Sequence, residues 1–342
     1  MRQLFPKCMT GRMPFITCHG YVMPCCWLDI PRYKSSGKIR NNKWEEVDNI
    51  FLDPFFNLKN NSYKDIVTSE KWLLSLEKLF LLNYNVCDMK CDFLPLVNGK
   101  LDRNDDYTNT SILNNTFSKS YDKKIFNKNL IDTWNVDILQ IELTNRCSLK
   151  CPYCPRLTDK PKHKDLEIDV IRDVLLCKNW NSIQDVGNYG DTIFYKPYHE
   201  FLKILIDSNV KLYSFHTAAT GKGKKWWDET VSLYEKVIAS GTNIKINFGI
   251  DGLEDTSKLH RIGQNWDEIT YALKRCVEVG CESIWQYIPM SFNEHQIDEA
   301  KKLAEDWGCQ LNLNLSCRFY KGDPNMPKNP KYHRDFYNVR EE

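Results

Sequence analysis

The stretch Cys147-Ser148-Leu149-Lys150-Cys151-Pro152-Tyr153-Cys154 places three thiols within eight residues, directly after the apolar, strand-like run from Asp137 to Leu143. A turn this short, with Lys150 and Pro152 inside it, buries little surface, so core packing does not account for three cysteines. Thiolates are soft ligands that suit zinc or iron–sulfur clusters. Tetrahedral zinc sites usually take cysteines in pairs, with a second pair supplied elsewhere. A CxxxCxxC triplet with no fourth ligand nearby fits better a cubane that the protein holds by three irons, leaving the fourth open for chemistry.

At these residues the chain resembles the radical S-adenosylmethionine (radical SAM) superfamily, in which such a loop follows the first strand of a barrel and an aromatic residue precedes the last cysteine. Here that aromatic is Tyr153, which the resemblance places among the SAM contacts. The resemblance implies a catalytic 4Fe–4S cluster on Cys147, Cys151 and Cys154, with the amino and carboxylate groups of SAM on the open iron. It implies that one electron from the reduced cluster cleaves SAM to methionine and a 5'-deoxyadenosyl radical, which abstracts a substrate hydrogen. An electron donor such as a flavodoxin or ferredoxin is then a partner. The cofactor carries that chemistry, and the protein holds its parts in place and excludes competing reactions.

Length and composition agree with such an enzyme. At 342 residues the chain can form two domains, or one large barrel with an attachment. A net charge of +2 gives no global field that would argue for nucleic acid or a membrane surface. No run of eighteen apolar residues occurs, and Met1-Arg2-Gln3-Leu4-Phe5-Pro6 lacks the apolar core of a signal peptide. Fourteen cysteines in a chain of this size therefore read as metal ligands plus buried free thiols in a reducing cytoplasm. Cys177, Cys276, Cys281, Cys309 and Cys317 lie in helical or strand patterns and read as small buried hydrophobes.

A second cysteine constellation precedes the first. Eleven residues separate Cys8 from Gly20, and four more lead to Cys25, which is followed by Cys26. Gly20 suits a tight hairpin turn and Tyr21-Val22 a returning strand, which would bring Cys8 and Cys25 together. A helical stripe of Ile66, Trp72, Leu73, Leu76 and Leu79 follows within Tyr63 to Leu82, then Cys87 and Cys91. Four thiols suffice to close a cluster or a zinc site. The spacing resembles the twitch and SPASM auxiliary-cluster domains of radical SAM enzymes, here in the branch that carries the module before the barrel. The resemblance implies an auxiliary 4Fe–4S cluster on Cys8, Cys25, Cys87 and Cys91, with Cys18 and Cys26 as alternates and structural zinc as the other reading.

Residues 98–136 are rich in Asn, Asp, Ser and Lys and read as a linker or surface excursion between an auxiliary domain, 1–97, and a core domain, 137–317. Within the core, strand-like runs at Ile138 to Leu143, Ile183 to Gly187, Val210 to His216, Ile244 to Ile250, Ser283 to Ile288 and Gln310 to Leu315 alternate with helical patterns. Six strands, each apolar enough to be buried on both faces, predict an α/β fold with a parallel sheet and helices outside. Crossovers of one hand would curve it into a partial barrel, and the resemblance implies a partial (β/α)6 TIM-type barrel. A tail, 318–342, with Gly322, Pro324, Pro327 and Pro330 predicts an extended or poorly ordered end.

In such folds the site forms at the carboxyl ends of the strands. The family commonly has Gly-Gly-Glu after the second strand, where this chain has Gly187-Asn188-Tyr189-Gly190-Asp191. The resemblance assigns Gly190 and Asp191 to the SAM ammonium, since glycine lets backbone approach a ligand and a carboxylate accepts from the ammonium; capping the next helix is the other reading of Asp191. After the third strand His216-Thr217-Ala218-Ala219-Thr220-Gly221 departs from the family's Thr-Asn-Gly, and His216 either faces the site or is a satisfied strand-end residue. Lys222 to Lys225 beside Trp226 and Trp227 read as a solvated turn before an amphipathic helix. After the fourth strand Asp251-Gly252 matches the family's strand-end pair, so the resemblance counts Asp251 among the SAM contacts, and Arg261 suits the SAM carboxylate because its forked donors match two oxygens. Gln286 and Ile288 on the fifth strand, and Asn293 beyond it, resemble the wall around adenine and ribose.

The substrate is not legible in these motifs. Relatives with such modules often modify peptides or proteins, and others oxidise or dehydrate sugars or small metabolites. The rival from another class is a non-catalytic zinc-binding interaction protein whose cysteines only staple loops.

Overall fold

The computed structural model describes residues 13–29, 44–82, 96–97, 100–101, 131–316, 319 and 322–333. Cys8, Cys87, Cys91 and Cys317, and most of 98–136, lie outside them.

Ten strands are present among these residues. They are β1 (Phe15–Ile16), β2 (Val22–Met23), β3 (Leu96–Val97), β4 (Lys100–Leu101), β5 (Ile138–Ile141), β6 (Trp180–Asp185), β7 (Val210–Thr217), β8 (Asn243–Gly249), β9 (Glu282–Tyr287) and β10 (Gln310–Leu313). β3 and β4 pair only with each other. The rest form one sheet in the order β10-β9-β8-β7-β6-β5-β1-β2. From β5 to β10 every neighbour is parallel, as the alternation of strand and helix predicts. All six strand-like runs of the core are strands, and they make the α/β partial barrel.

The helices are α1 (Trp44–Phe51), α2 (Tyr63–Thr68), α3 (Glu70–Leu81), α4 (Pro155–Asp159), α5 (Ile168–Leu176), α6 (Tyr198–Asp207), α7 (Lys224–Ala239), α8 (Ser257–His260), α9 (Trp266–Glu278) and α10 (Ile297–Asp306). The single helical stripe expected over Tyr63 to Leu82 is two helices. Ser69, in extended conformation, ends α2 and its hydroxyl accepts from Trp72 N at 3.0 Å, starting α3. Ile66, Trp72, Leu76 and Leu79 are buried as the stripe predicts, while Leu73 is half-buried.

One face of the sheet carries Ile183, Tyr213 and Ile244 in register, then Phe215 beside Ile246, then Phe248 beside Trp285. These side chains pack under the helices: Tyr213 lies 5.2 Å from Phe201 of α6, and Trp285 stacks on Trp307 at 5.2 Å. Each fully buried side chain of this kind is worth about 1.5–3 kcal/mol relative to exposure. The other face differs from the expectation of strands apolar on both sides. Gln140, Gln184, Ser214, Lys245 and Glu282 stand side by side across β5 to β9, with His216 beside Asn247 and Gln286 beside Asn312 in the rows above. The same face also carries Ile138 and Leu212 beside Ser182, and Ile284 beside Asn247, so it mixes amides, hydroxyls, an imidazole and an ion pair with apolar side chains. Lys245 and Glu282 pair at 2.6 Å and cancel in charge. Period-two alternation of buried apolar and more polar residues thus replaces the continuous apolar run on these strands.

The hairpin expected at Gly20 forms. β1 and β2 are antiparallel, Gly20 takes φ +86°, and its N–H donates to Thr17 O at 2.9 Å. β1 also pairs in parallel with β5, Phe15 opposite Gln140 and Ile16 opposite Ile141, so this part of 1–97 continues the barrel sheet. Behind it Phe51, Phe56 and Trp72 form an aromatic cluster with ring centroids 5.8–6.0 Å apart.

Candidate functional site

The thiol loop leaves the carboxyl end of β5 and is docked onto the loops that follow β7 and β8. Lys150 N donates to Ile262 O at 3.0 Å, Ser148 Oγ to Thr220 O at 3.3 Å, and Arg156 Nη2 to Leu149 O. Cys154 N donates to Cys151 O at 3.0 Å, closing the turn, and Cys154 is the N-cap of α4, where Pro155 costs no hydrogen bond. Leu149 is the buried anchor, while Cys147, Cys151 and Cys154 are all half-buried. Burial, then the charge of Asp191, pushes the Cys147 thiol up to about 12. A metal that takes this sulfur must therefore displace a proton.

Among the described residues, no three His, Cys, Asp or Glu side chains converge on a point that could hold a single metal ion. A cubane has a different requirement, because each cysteine ligates a different iron and separated thiols are what it takes. Three half-buried sulfurs on a short loop fit that donor set.

The need for glycine at 190 has a cause within the protein itself. A Cβ on Gly190 would lie 1.9 Å from Thr144 O and 3.0 Å from Asn145 Cα, so the backbone of this loop is pressed against the root of the thiol loop. Asp191 N donates to Arg146 O at 2.8 Å in the same seam. Gly190→Ala is therefore expected to push the two loops apart and destabilise the protein by about 1–3 kcal/mol or more, a change that urea unfolding would measure. An alanine variant as stable as wild type would contradict the close approach.

The Asp191 carboxylate is 5% exposed. It caps the short helix Thr192–Phe194 through Ile193 N at 3.4 Å and accepts from Ala218 N at 2.8 Å. Burial raises its pKa, although these hydrogen bonds work against the shift. Its capping role is thus present, and its charge also acts on Cys147.

Asp251, expected among SAM contacts, is enclosed by protein at 0% exposure. Its carboxylate pairs with His260 Nδ1 at 2.7 Å and Arg261 Nε at 2.8 Å, and accepts from Ile288 N at 2.8 Å. Burial alone would raise its pKa, but Arg261 and His260 outweigh that and hold it below the usual carboxylate range. Asn293 is likewise no wall residue: it is wholly buried, and its amide donates to Asp251 O and Ile288 O. Asp251 thus acts on Arg261 rather than on a ligand.

Arg261 rests its guanidinium against Gly249, where a Cβ would come within 2.5 Å. Burial opposes its charge, but Asp251 and the nearby thiols of Cys151 and Cys147 more than offset this and raise its pKa. Asp191 and Arg261 both lie near enough to Cys147 to interact with it electrostatically. Gln286 is half-buried on the interior face, where its Oε1 meets His216 Nδ1 at 3.2 Å. His216 is exposed at the end of β7, and desolvation by the protein packed around the ring lowers its pKa. The Lys222 ammonium lies over Phe194 and Trp226, in a turn whose N–H groups at Gly221, Lys222 and Gly223 donate to Glu268 at 2.6–2.8 Å.

Sequence reasoning missed Glu142, His260 and Asp323. Glu142 is buried directly before the thiol loop, accepts from Tyr189 N at 2.7 Å, and is raised well above the usual range by burial and by Asp29. Its place one residue past β5 was the available signal. Burial, then Glu142, also raises the Cys18 thiol, so this carboxyl adjoins the N-terminal hairpin. Tyr153, assigned to SAM, has its hydroxyl on Asp323 at 2.7 Å.

Residues 141–306 match the family described as Radical SAM superfamily. Sporulation killing factor maturation protein SkfB of Bacillus subtilis (strain 168) is 24% identical over 169 residues, which are 48% of this chain and 38% of SkfB. Streptococcus suis SuiB bound to the precursor peptide SuiA is 16% identical with a TM-score of 0.41, over 52% of this chain and 38% of that one. Native anSMEcpe with bound AdoMet is 16% identical with a TM-score of 0.43, over 57% of each chain. This chain thus spans well under two thirds of each of these relatives. No helix of the described residues is long and apolar enough to cross a membrane. With the thiol triplet at the carboxyl end of a six-stranded parallel barrel, residues 141–306 of this chain are a radical SAM superfamily domain.

Proposed function

We propose that this chain is a radical SAM enzyme that modifies a polypeptide. The observation that carries the reading is the half-buried triplet Cys147, Cys151 and Cys154 just beyond the carboxyl end of β5, with Asp191 and Arg261 close enough to interact with it electrostatically. When bound on these thiols, a 4Fe–4S cluster supplies the electron that splits SAM into methionine and a 5'-deoxyadenosyl radical able to take a substrate hydrogen.

The residues of the chain do the rest. Asp191 offers a carboxylate to the SAM ammonium, and Arg261, oriented by Asp251, offers its remaining N–H groups to the SAM carboxylate. Gln286 and Ile288 line the adjoining wall, and Gly190 keeps the Asp191 loop tight against the thiol loop. The interior amides and His216 receive the substrate by hydrogen bonds rather than by charge, since Lys245 and Glu282 neutralise each other. A polypeptide is the substrate class because the Bacillus relative is named as a maturation protein for a killing factor. A flavodoxin or ferredoxin supplies the electron.

A second cluster on Cys8, Cys25, Cys87 and Cys91 belongs to the same proposal, with Cys18 and Cys26 as the alternates. The hairpin that closes at Gly20 supports it, since it returns the chain toward Cys25, half-buried, and Cys26, buried. Replacing Cys87 and Cys91 with alanine should remove about one cluster of iron and sulfide per chain while the triplet keeps its own. SAM cleavage should persist at a reduced level. Loss of zinc with unchanged iron would make the module a zinc fold, and unchanged metal would end the two-site reading.

A further inference from the structure

We infer that Asp323 and Asn325, beyond the last barrel strand, are positioning residues of the thiol loop that act through Tyr153. The inference rests on the cluster reading above. Tyr153 lies between Cys151 and Cys154, so any displacement of its ring displaces the turn that Cys154 N and Cys151 O close. That ring is held at its hydroxyl and by two neighbouring rings. Its hydroxyl donates to Asp323, 2.7 Å from Oδ1 and 2.9 Å from Oδ2, and accepts from Asn325 Nδ2 at 2.9 Å. Its edge meets Phe319 at 5.5 Å and its other side His260 at 5.8 Å, and His260 in turn is fixed by Asp251.

Asp323 is 6% exposed. A buried carboxylate must find donors, and a phenol hydroxyl hydrogen-bonded to a carboxylate is among the stronger pairs available. Asp323 finds its donors in Tyr153 and in Asn325 N at 2.9 Å, which also folds the segment into an Asx turn. The segment is itself anchored. Ser291 N donates to Asn325 O at 3.1 Å and Ser291 Oγ to Pro324 O at 2.6 Å, while Glu294 accepts from Lys328 N and Asn329 N at 3.1 and 3.0 Å. Ser291 and Glu294 sit on the loop whose Ile288 N holds Asp251. The stretch expected to be a poorly ordered tail thus closes a ring of contacts that runs from the thiol loop through Asp323, Ser291 and Asp251 to His260 and back to Tyr153. The geometry makes residues 322–329 part of the wall of the thiol site and gives them control over how two of its sulfurs are spaced.

The test compares full-length, anaerobically reconstituted wild type with Tyr153→Phe, Asp323→Ala, Asp323→Asn and the Tyr153→Phe/Asp323→Ala double variant. Iron per chain, the SAM dissociation constant, and the electron paramagnetic resonance spectrum of the reduced protein with and without SAM are measured. Iron should stay at the wild-type level. Tyr153→Phe and Asp323→Ala should each weaken SAM binding by about tenfold and alter the spectrum recorded with SAM. Asp323→Asn should recover most of the affinity, because its amide oxygen still accepts from the phenol. The double variant should be no weaker than the worse single one, because the pair acts as a unit. Wild-type affinity and spectra in both single variants, or effects that multiply in the double variant, would overturn the inference. If either single variant loses its iron, Asp323→Asn decides: wild-type affinity and spectrum support the inference, and loss of iron there too makes the contact structural and overturns it. A wild-type protein that holds no iron or binds no SAM overturns the proposed function instead.

Discussion

Replacing Cys147, Cys151 and Cys154 together with alanine should abolish 5'-deoxyadenosine formation from SAM and remove about one cluster of iron and sulfide per chain. The fold should survive, because what holds the loop is Leu149 and the backbone bonds from Lys150 to Ile262 O and from Asp191 to Arg146 O, none of which uses a thiol. Three half-buried cysteines lose little packing on truncation, so stability changes by less than in a core truncation, which costs about 2–5 kcal/mol. Reduced wild type given SAM should release 5'-deoxyadenosine slowly even without substrate, since an open iron can cleave SAM unproductively. Equal product from wild type and the triple variant would sink the assignment of SAM cleavage to this loop.

Asp251→Ala should destabilise the protein by about 3–5 kcal/mol, because it breaks an ion pair whose carboxylate is wholly enclosed by protein. Arg261 would lose its counter-charge, His260 and Ile288 N would lose their acceptor, and no water reaches a carboxylate at 0% exposure to replace it. The pH dependence follows from the depressed pKa. A carboxylate held below its unfolded value contributes stability that is fully present above that value and is lost as pH falls through the folded one. Wild type should therefore weaken in acid by more than the alanine variant does, and the gap between them should close. Urea unfolding at neutral pH and in acid measures both effects. A loss under about 1 kcal/mol at neutral pH would mean that Arg261 finds another partner.

The six core strands and the thiol loop could be read from the sequence because their signals are local: β-branched and aromatic runs separated by helical stripes, and a cysteine spacing too dense for a core. What could not be read depends on pairs distant in the chain. Tyr153 and Asp323 stand 170 residues apart, and a tail rich in proline gave no period that would hint at the contact. Asp251 looked like a ligand contact because a single acid shows its charge but not its partners, here His260, Arg261 and Ile288 N. At Gly190 the backbone that the missing side chain admits is that of Thr144, a contact no local pattern announces. The polar positions of the strands were hidden because Ser214, His216, Lys245 and Asn247 are each followed or preceded by large apolar residues, so the runs read as apolar throughout.

The parallel ladder between β1 and β5 also bears on how the chain folds during synthesis. Phe15 pairs with Gln140, 125 residues further on (140 − 15). At roughly 5–20 residues per second, the ribosome delivers that partner on the order of ten seconds after the hairpin emerges. For that interval the edge of β1 has no neighbour on the β5 side, and an unpaired edge is a template for pairing with other chains. The barrel's first strand is thus both the root of the thiol loop and the event that ends this exposure, which makes its arrival the step at which a nascent chain either closes its sheet or is lost to aggregation.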